Sequence, residues 1–132
     1  MLFPIIGPRL HGWLDDVVAV LYLAGVFALG LHGDAAAVAI TGAAIHFVLT
    51  RLTDYPQGTW KLIPFRTHAF IELGEGVGVL IAGFMIASSN PLTARLFLAA
   101  MGVSQLGAFA FSDYGDGSGA GVRARFGRRT EK

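Results

Sequence analysis

Residues 53–75, TDYPQGTWKLIPFRTHAFIELGE, organise this chain because they join two halves that carry matching polar residues. The stretch contains an arginine, a histidine two positions later and an acidic residue four positions after that, and the same spacing occurs 57 positions earlier. The later triplet is Arg66, His68 and Glu72, and the earlier one is Arg9, His11 and Asp15. This correspondence predicts that the chain is a duplicated unit.

A second correspondence follows the apolar segments. The tripeptide TDY at 53–55 recurs 59 positions later as SDY at 112–114, and Gly58 corresponds to Gly117. We therefore assign repeat one to residues 9–58 and repeat two to residues 66–117, each a helical hairpin. Two hairpins of the same orientation form a parallel repeat, related by a pseudo-twofold axis along the membrane normal.

The composition is typical of a membrane protein. The chain has 132 residues, enough for one domain. Of these, 54% are hydrophobic and only 14% are charged, against roughly 25% charged in an average soluble domain, and the mean hydropathy is +0.59. The sequence has no cysteine, which excludes a disulfide, a thiolate metal site and a cysteine nucleophile.

Four apolar segments are each long enough to cross a bilayer. We expect helices at about 10–31, 35–52, 67–88 and 92–111, and a spanning helix needs ~20 residues. A soluble bundle would show charged outer faces at helical spacing, whereas the central turns here are apolar on every side. The sequence therefore predicts an all-α fold, with a four-transmembrane-helix bundle in residues 1–112 and a disordered basic tail, rich in glycine, serine and arginine, in residues 113–132.

The basic residues predict the orientation. With four spans, both termini and the central linker share one side, and the short turns between paired helices lie on the other. All Lys and Arg residues except Arg95 fall on the first side: Arg9, Arg51, Lys61, Arg66, Arg123, Arg125, Arg128, Arg129 and Lys132. An excess of Lys and Arg marks the cytoplasmic side, so we expect a multi-pass inner-membrane protein with both termini in the cytoplasm.

The lipid bilayer is the expected partner. Glycines at 74, 76, 78 and 83 give the third helix a surface that packs closely, so a homo-oligomer or a larger membrane complex is a further expectation. The arginine-rich tail is most simply an anchor to anionic lipids, and no nucleic-acid partner is expected.

Ionisable residues are expected to collect at the cytoplasmic end of the bundle. Residues four apart share a helix face, as in the His11 and His68 motifs, and Glu75 extends the second of these faces. The second and fourth helices each carry a polar residue eight positions before an Asp-Tyr pair. The predicted polar cluster comprises Arg9, His11, Asp15, His46, Asp54, Tyr55, Arg66, His68, Glu72, Glu75, Gln105, Asp113 and Tyr114.

Three interpretations of this cluster remain open. In the structural one, acidic residues complement the helix dipoles, and an arginine, Arg9 or Arg66, pairs with Asp54 or Asp113. The second is a transition-metal or haem site, because carboxylates and imidazoles from facing helices build the metal sites of bundles. The third is proton or small-ligand handling by His46, because histidine titrates near neutral pH. The ligands of the metal interpretation are His11, His46, His68 and Glu72.

The motifs HGWLDD at 11–16, LTDYPQG at 52–58 and KLIPFRTH at 61–68 give the chain a resemblance to the SPW-repeat family of small bacterial and archaeal membrane proteins. The resemblance covers residues 9–114 and implies two helical hairpins, each opening with a histidine and an acidic residue. GVF at 25–27 and AGF at 82–84 replace the Ser-Pro-Trp signature, so the chain is similar to a divergent member. The family has no established activity to transfer.

The sequence assigns no reaction. It contains no G-x-S-x-G, phosphate-loop or dinucleotide-binding motif. We therefore expect a non-enzymatic membrane scaffold or accessory subunit without a cofactor. The alternative is a metal- or haem-binding membrane oxidoreductase or sensor that uses the cluster of histidines and carboxylates.

Overall fold

The computed structural model describes residues 5–85 and 91–115, which form four α-helices. They are α1 (Pro8–Ala28), α2 (Gly33–Leu52), α3 (Phe65–Met85) and α4 (Leu92–Phe111). Each helix has 20 or 21 residues and is apolar enough to cross a membrane. The predicted all-α four-helix bundle is therefore confirmed, and the chain is a multi-pass membrane protein. Most of the predicted tail, and the end of repeat two at 116–117, lie outside the described residues.

The helix limits differ from the predicted ones at the turns. α1 begins at Pro8, two residues early, because the first helical turn leaves the N–H that proline lacks unpaired in any case. It ends at Ala28, before residue 31, since Gly30 adopts a left-handed conformation with φ +60°. α3 begins directly after Pro64, and the limits of α4 match the predicted ones.

The bundle places large apolar side chains outside and polar ones inside. Phe27 and Phe84 are 84% and 64% exposed, an arrangement that is unfavourable in water but not in lipid. Burying a polar side chain lowers stability unless it is hydrogen-bonded, so the interior must satisfy its own polar groups. The buried polar residues are His11, Asp15, His46, Thr50, Thr53, His68, Glu72, Gln105 and Ser112.

Glycines bring α3 and α4 into close contact. A Cβ atom at Gly102 would lie 2.8 Å from the carbonyl oxygen of Gly76, and one at Gly83 would lie 3.2 Å from the backbone nitrogen of Ala99. The packing expected of the third helix is therefore found at Gly76 and Gly83. Among the described residues, no atom lies within 4 Å of the Cβ position of Gly74.

Two backbone bridges close the end of the bundle at which the central linker lies. The N–H of Asp54, after α2, donates to the carbonyl of Ile63, before α3, at 2.8 Å. The N–H of Asp113, after α4, donates to the carbonyl of Ile6, before α1, at 2.9 Å. Each helical end is thereby connected to the start of the helix whose histidine it contacts.

Candidate metal centre

Four ionisable side chains from α1 and α3 meet inside the bundle. The side chains of His11, Asp15, His68 and Glu72 are each at most 2% exposed. His11 and Asp15 lie four positions apart near the start of α1, and His68 and Glu72 have the same spacing in α3. The two members of each pair therefore share one face of their helix. The helices bring these two polar sides together, and the motifs that correspond in sequence form a single cluster.

The two histidines are in direct contact. Nε2 of His11 lies 3.2 Å from Nε2 of His68. The carboxylate of Asp15 spans the pair, because its Oδ1 lies 3.4 Å from His11 Nε2 and its Oδ2 lies 3.3 Å from His68 Nε2. Glu72 Oε2 approaches His11 Nε2 at 3.4 Å. Two imidazole nitrogens and the oxygens of two carboxylates therefore converge on one small volume.

Hydroxyl groups contact the Nδ1 atoms of both histidines, on the side of each ring away from the cluster. Thr53 donates its only hydroxyl proton to the carbonyl of Leu49 at 2.6 Å, and its oxygen also lies 2.8 Å from His68 Nδ1. Since that proton is already used, His68 Nδ1 must carry the hydrogen and donate it to Thr53. Neutral His68 therefore presents a lone pair at Nε2. Ser112 has the same position relative to His11 that Thr53 has relative to His68, since its Oγ lies 2.6 Å from His11 Nδ1.

Tyrosine hydroxyls orient the carboxylates. Tyr55 donates to Asp15 Oδ2 at 2.7 Å, and Tyr114 donates to Glu72 Oε2 at 3.3 Å. Burial, followed by the negative charge of the nearby carboxylate, raises the pKa of Tyr55 and of Tyr114 well above the usual range. Both phenols therefore keep the proton that they donate, and both carboxylates are held as acceptors.

A deeper layer surrounds His46. Its Nδ1 lies 2.9 Å from Glu75 Oε2, while the amide of Gln105 donates to the Tyr22 hydroxyl at 3.0 Å. One ligand atom each of Asp15, His46 and Glu72 lie within 4.8 Å of one another, and so do those of His11, Asp15 and His68. Within the described residues, three atoms of this layer are buried without a hydrogen-bond partner: His46 Nε2, Glu75 Oε1 and Gln105 Oε1.

The remaining residues of the predicted cluster lie at its surface. Arg9, Arg66, Asp54 and Asp113 are exposed, and Asp54 lies 3.6 Å from Lys61 Nζ. Neither arginine forms an ion pair with a carboxylate of the described residues. The expected pairing that holds helix ends together is instead made by Arg51 and Asp16, which join α2 to α1.

Sequence reasoning did not include Thr53, Ser112 or Tyr22 among the site residues. The first two did carry a signal, because they are the first residues of the recurring tripeptides at 53–55 and 112–114. Tyr22 is a lone polar group in an apolar helix and is fully buried. Its role follows only from its contact with Gln105 on α4, which no spacing within α1 reveals.

The spacing of the cluster suits a transition-metal ion. Imidazole nitrogen binds such an ion at ~2.0–2.1 Å, so two ligands lie about 2.8–3.0 Å apart at octahedral angles and about 3.3–3.4 Å apart at tetrahedral ones. The separations of 3.2–3.4 Å among His11, His68 and Asp15 are close to the tetrahedral value. A histidine that ligates a metal also donates its other ring N–H to a neighbouring acceptor, as His68 does to Thr53.

Comparisons of this chain with protein-family models, with curated proteins and with solved structures give no match. The resemblance to SPW-repeat proteins therefore remains a prediction.

Proposed function

We propose that this protein binds a divalent transition-metal ion inside the membrane bundle, with His11, His68 and Asp15 as ligands. The single observation that carries the proposal is the 3.2 Å contact between the two Nε2 atoms. His68 Nε2 holds a lone pair in its neutral form, and it faces a second ring nitrogen and a carboxylate oxygen. Two lone pairs at this separation repel each other unless a proton on one ring or a metal ion lies between them, and a metal ion would also bind the nearby carboxylate oxygen.

Charge balance supports the same proposal. Asp15 and Glu72 are buried, and a buried carboxylate is strongly destabilising unless it is paired or bound to a metal. One divalent ion neutralises both carboxylates. Imidazole and carboxylate together suit zinc and iron(II), and a site with two histidines and one carboxylate leaves coordination positions open. Glu72, next to His11, is placed to occupy one of them.

The competing interpretation is the non-enzymatic scaffold expected from the sequence. In that case protons take the place of the metal, and one or both imidazoles carry a positive charge against the carboxylates. This arrangement also balances charge, but among the described residues it supplies no hydrogen bond to Nε2 of His11 or His68 beyond the contact between them. The metal interpretation is preferred because His68 donates from Nδ1 to Thr53 and so directs the lone pair of its Nε2 toward Asp15 and His11.

Haem fits this geometry less well than a single ion does. Two histidines that ligate haem iron approach it from opposite faces of the macrocycle. Nitrogens 3.2 Å apart leave no space for a porphyrin between them. We therefore favour a metal-binding membrane protein over a haem protein. Its role as an oxidoreductase or as a sensor remains part of this proposal.

We further propose how the chain arose and how it is oriented in the membrane. We infer a duplicated hairpin, supported by the corresponding contacts of His11 with Ser112 and of His68 with Thr53. The inner membrane, cytoplasmic termini, a homo-oligomer or larger complex and a divergent SPW-like ancestry remain proposals with the sequence as their support. Nucleic acid is not proposed as a partner.

Elemental analysis of detergent-purified protein tests the metal site. We expect stoichiometric zinc, iron or manganese in the wild-type protein and in His32→Gln, a control at an exposed histidine in the α1–α2 turn. His11→Gln and His68→Gln should lose that metal. If the wild-type protein stays free of metal after incubation with each of these ions and is equally stable with and without them, the scaffold interpretation is correct.

A further inference from the structure

The proposed ion is not the whole of the centre: we propose that a second divalent cation binds beside it, with His46 as its terminal ligand and Asp15 and Glu72 as bridging carboxylates. This inference rests on the proposed function, since the carboxylates are shared. The two ions together would form a dinuclear site between the helices. Helix bundles build such sites from histidines and carboxylates on facing helices.

The state of the His46 ring is the first argument. Its Nδ1 lies 2.9 Å from Glu75 Oε2, and an ionised carboxylate accepts hydrogen bonds only. Neutral His46 therefore donates from Nδ1 and keeps a lone pair at Nε2, which is buried and has no partner among the described residues. A carboxylate behind the ring and a free nitrogen in front is the arrangement of a metal-bound histidine.

The position of His46 is the second argument. One of its ring nitrogens lies within 4.8 Å of one carboxylate oxygen each of Asp15 and Glu72. The other three-residue group consists of His11, Asp15 and His68, so the two groups share Asp15. One carboxylate in two ligand sets is the geometry of a bridged pair, in which the ions lie about 3.5–4 Å apart.

The correspondence between the hairpins limits the number of ions. Gln105 lies 59 positions after His46, at the corresponding place in the second hairpin, and its amide donates to Tyr22. Glutamine offers no imidazole, so the second hairpin cannot supply a matching third position. The centre is therefore asymmetric, with two ions and one deep histidine.

Loading with manganese(II) gives a direct test on the full-length protein in detergent. We expect about two ions per chain by elemental analysis, and an exchange-coupled spectrum in electron paramagnetic resonance. His46→Gln makes this position the same as its counterpart Gln105 and should bind one ion, with the six-line spectrum of an isolated manganese(II). His32→Gln, at the exposed histidine in the α1–α2 turn, is the control and should keep both ions.

The outcomes separate this inference from the proposed function. One ion in the wild-type protein, with an uncoupled spectrum and no change in His46→Gln, overturns the second site and leaves the first intact. No manganese, zinc or iron in any preparation overturns both. The spectrum of the wild-type protein decides the question even if His46→Gln fails to fold.

Discussion

Ser112 Oγ lies 2.6 Å from His11 Nδ1, although 101 positions separate the two residues in sequence. Thr53 makes the corresponding contact with His68 at 2.8 Å. Each histidine is thus oriented by a hydroxyl that follows the last helix of the other hairpin. The geometry of the centre therefore depends on the segments after α2 and α4 as much as on the helices.

Removing one of these hydroxyls should weaken metal binding without abolishing it. Thr53→Val keeps the shape of the side chain but not the acceptor for His68 Nδ1, and we expect metal affinity to fall roughly 10–100-fold. Competition with a chelator of known affinity measures this change. Ser104→Ala is the control, because Ser104 donates to the carbonyl of Met101 in its own helix. Equal affinity in Thr53→Val and the wild-type protein would contradict the tautomer that we assign.

Asp15 should be indispensable for the metal while its neighbour is not. Asp15→Asn keeps the volume but removes the charge and one ligand oxygen, so we expect the protein to lose its bound ion. Asp16→Asn breaks only the partly exposed ion pair with Arg51, which should lower the free energy of unfolding by about 0–1 kcal/mol and leave the metal content unchanged. Elemental analysis measures the metal content of both variants, and thermal unfolding compares their stability with that of the wild-type protein.

Gly12 is required by the ring that orients Asp15. A Cβ atom at this position would lie 2.1 Å from Cε2 of Tyr55, and that ring is held in place by its hydrogen bond to Asp15. We expect Gly12→Ala to lower the free energy of unfolding by about 1–3 kcal/mol. Gly74→Ala, at a helix position with open space, should be neutral or stabilising by about 0.5–1 kcal/mol. Equal stability of the two variants would show that Tyr55 is free to move aside.

Alkaline pH should destabilise the fold through its tyrosines. The pKa of Tyr55 is raised in the folded protein, chiefly by burial, so the folded state keeps a proton that the unfolded state releases above about pH 10. The stabilisation is therefore complete below pH 10 and decreases above it, by about 1.4 kcal/mol per pH unit for one tyrosine. Unfolding measured from pH 8 to 11 should show a shallower decline in Tyr55→Phe than in the wild-type protein, and parallel curves would count against the shift.

The absence of native cysteine makes the orientation easy to test. Thr59→Cys places a thiol in the central linker, and Asp34→Cys places one at the start of α2; both positions are exposed. We expect a membrane-impermeant thiol reagent to label Asp34→Cys in intact cells and Thr59→Cys only after lysis, because the linker side carries the excess of positive charge. The opposite pattern would reverse the orientation.

The sequence was sufficient for the helices because apolar length alone determines a span. It also indicated which faces carry the ionisable groups, since His11 and Asp15 share a helix face whatever the tertiary packing. It grouped His46 with Asp15 and Glu72, but it also included Arg66, which is exposed, because spacing within one helix does not specify which neighbour that helix meets. Helix–helix contacts decide such matters, and they depend on the packing of all four helices.

The contact between His11 and Ser112 can form only late in synthesis, because the two residues are 101 positions apart. During synthesis, α1 and α2 enter the bilayer well before the last hairpin has been made, since domains and segments form in order from the N-terminus. His11 and Asp15 are then in the membrane without half of the groups that later surround them. If the proposed ion binds, its ligands are all present once α3 has been made, whereas the Ser112 hydroxyl that orients His11 is added only after α4. Tight metal binding would then follow the completed insertion of the last helix.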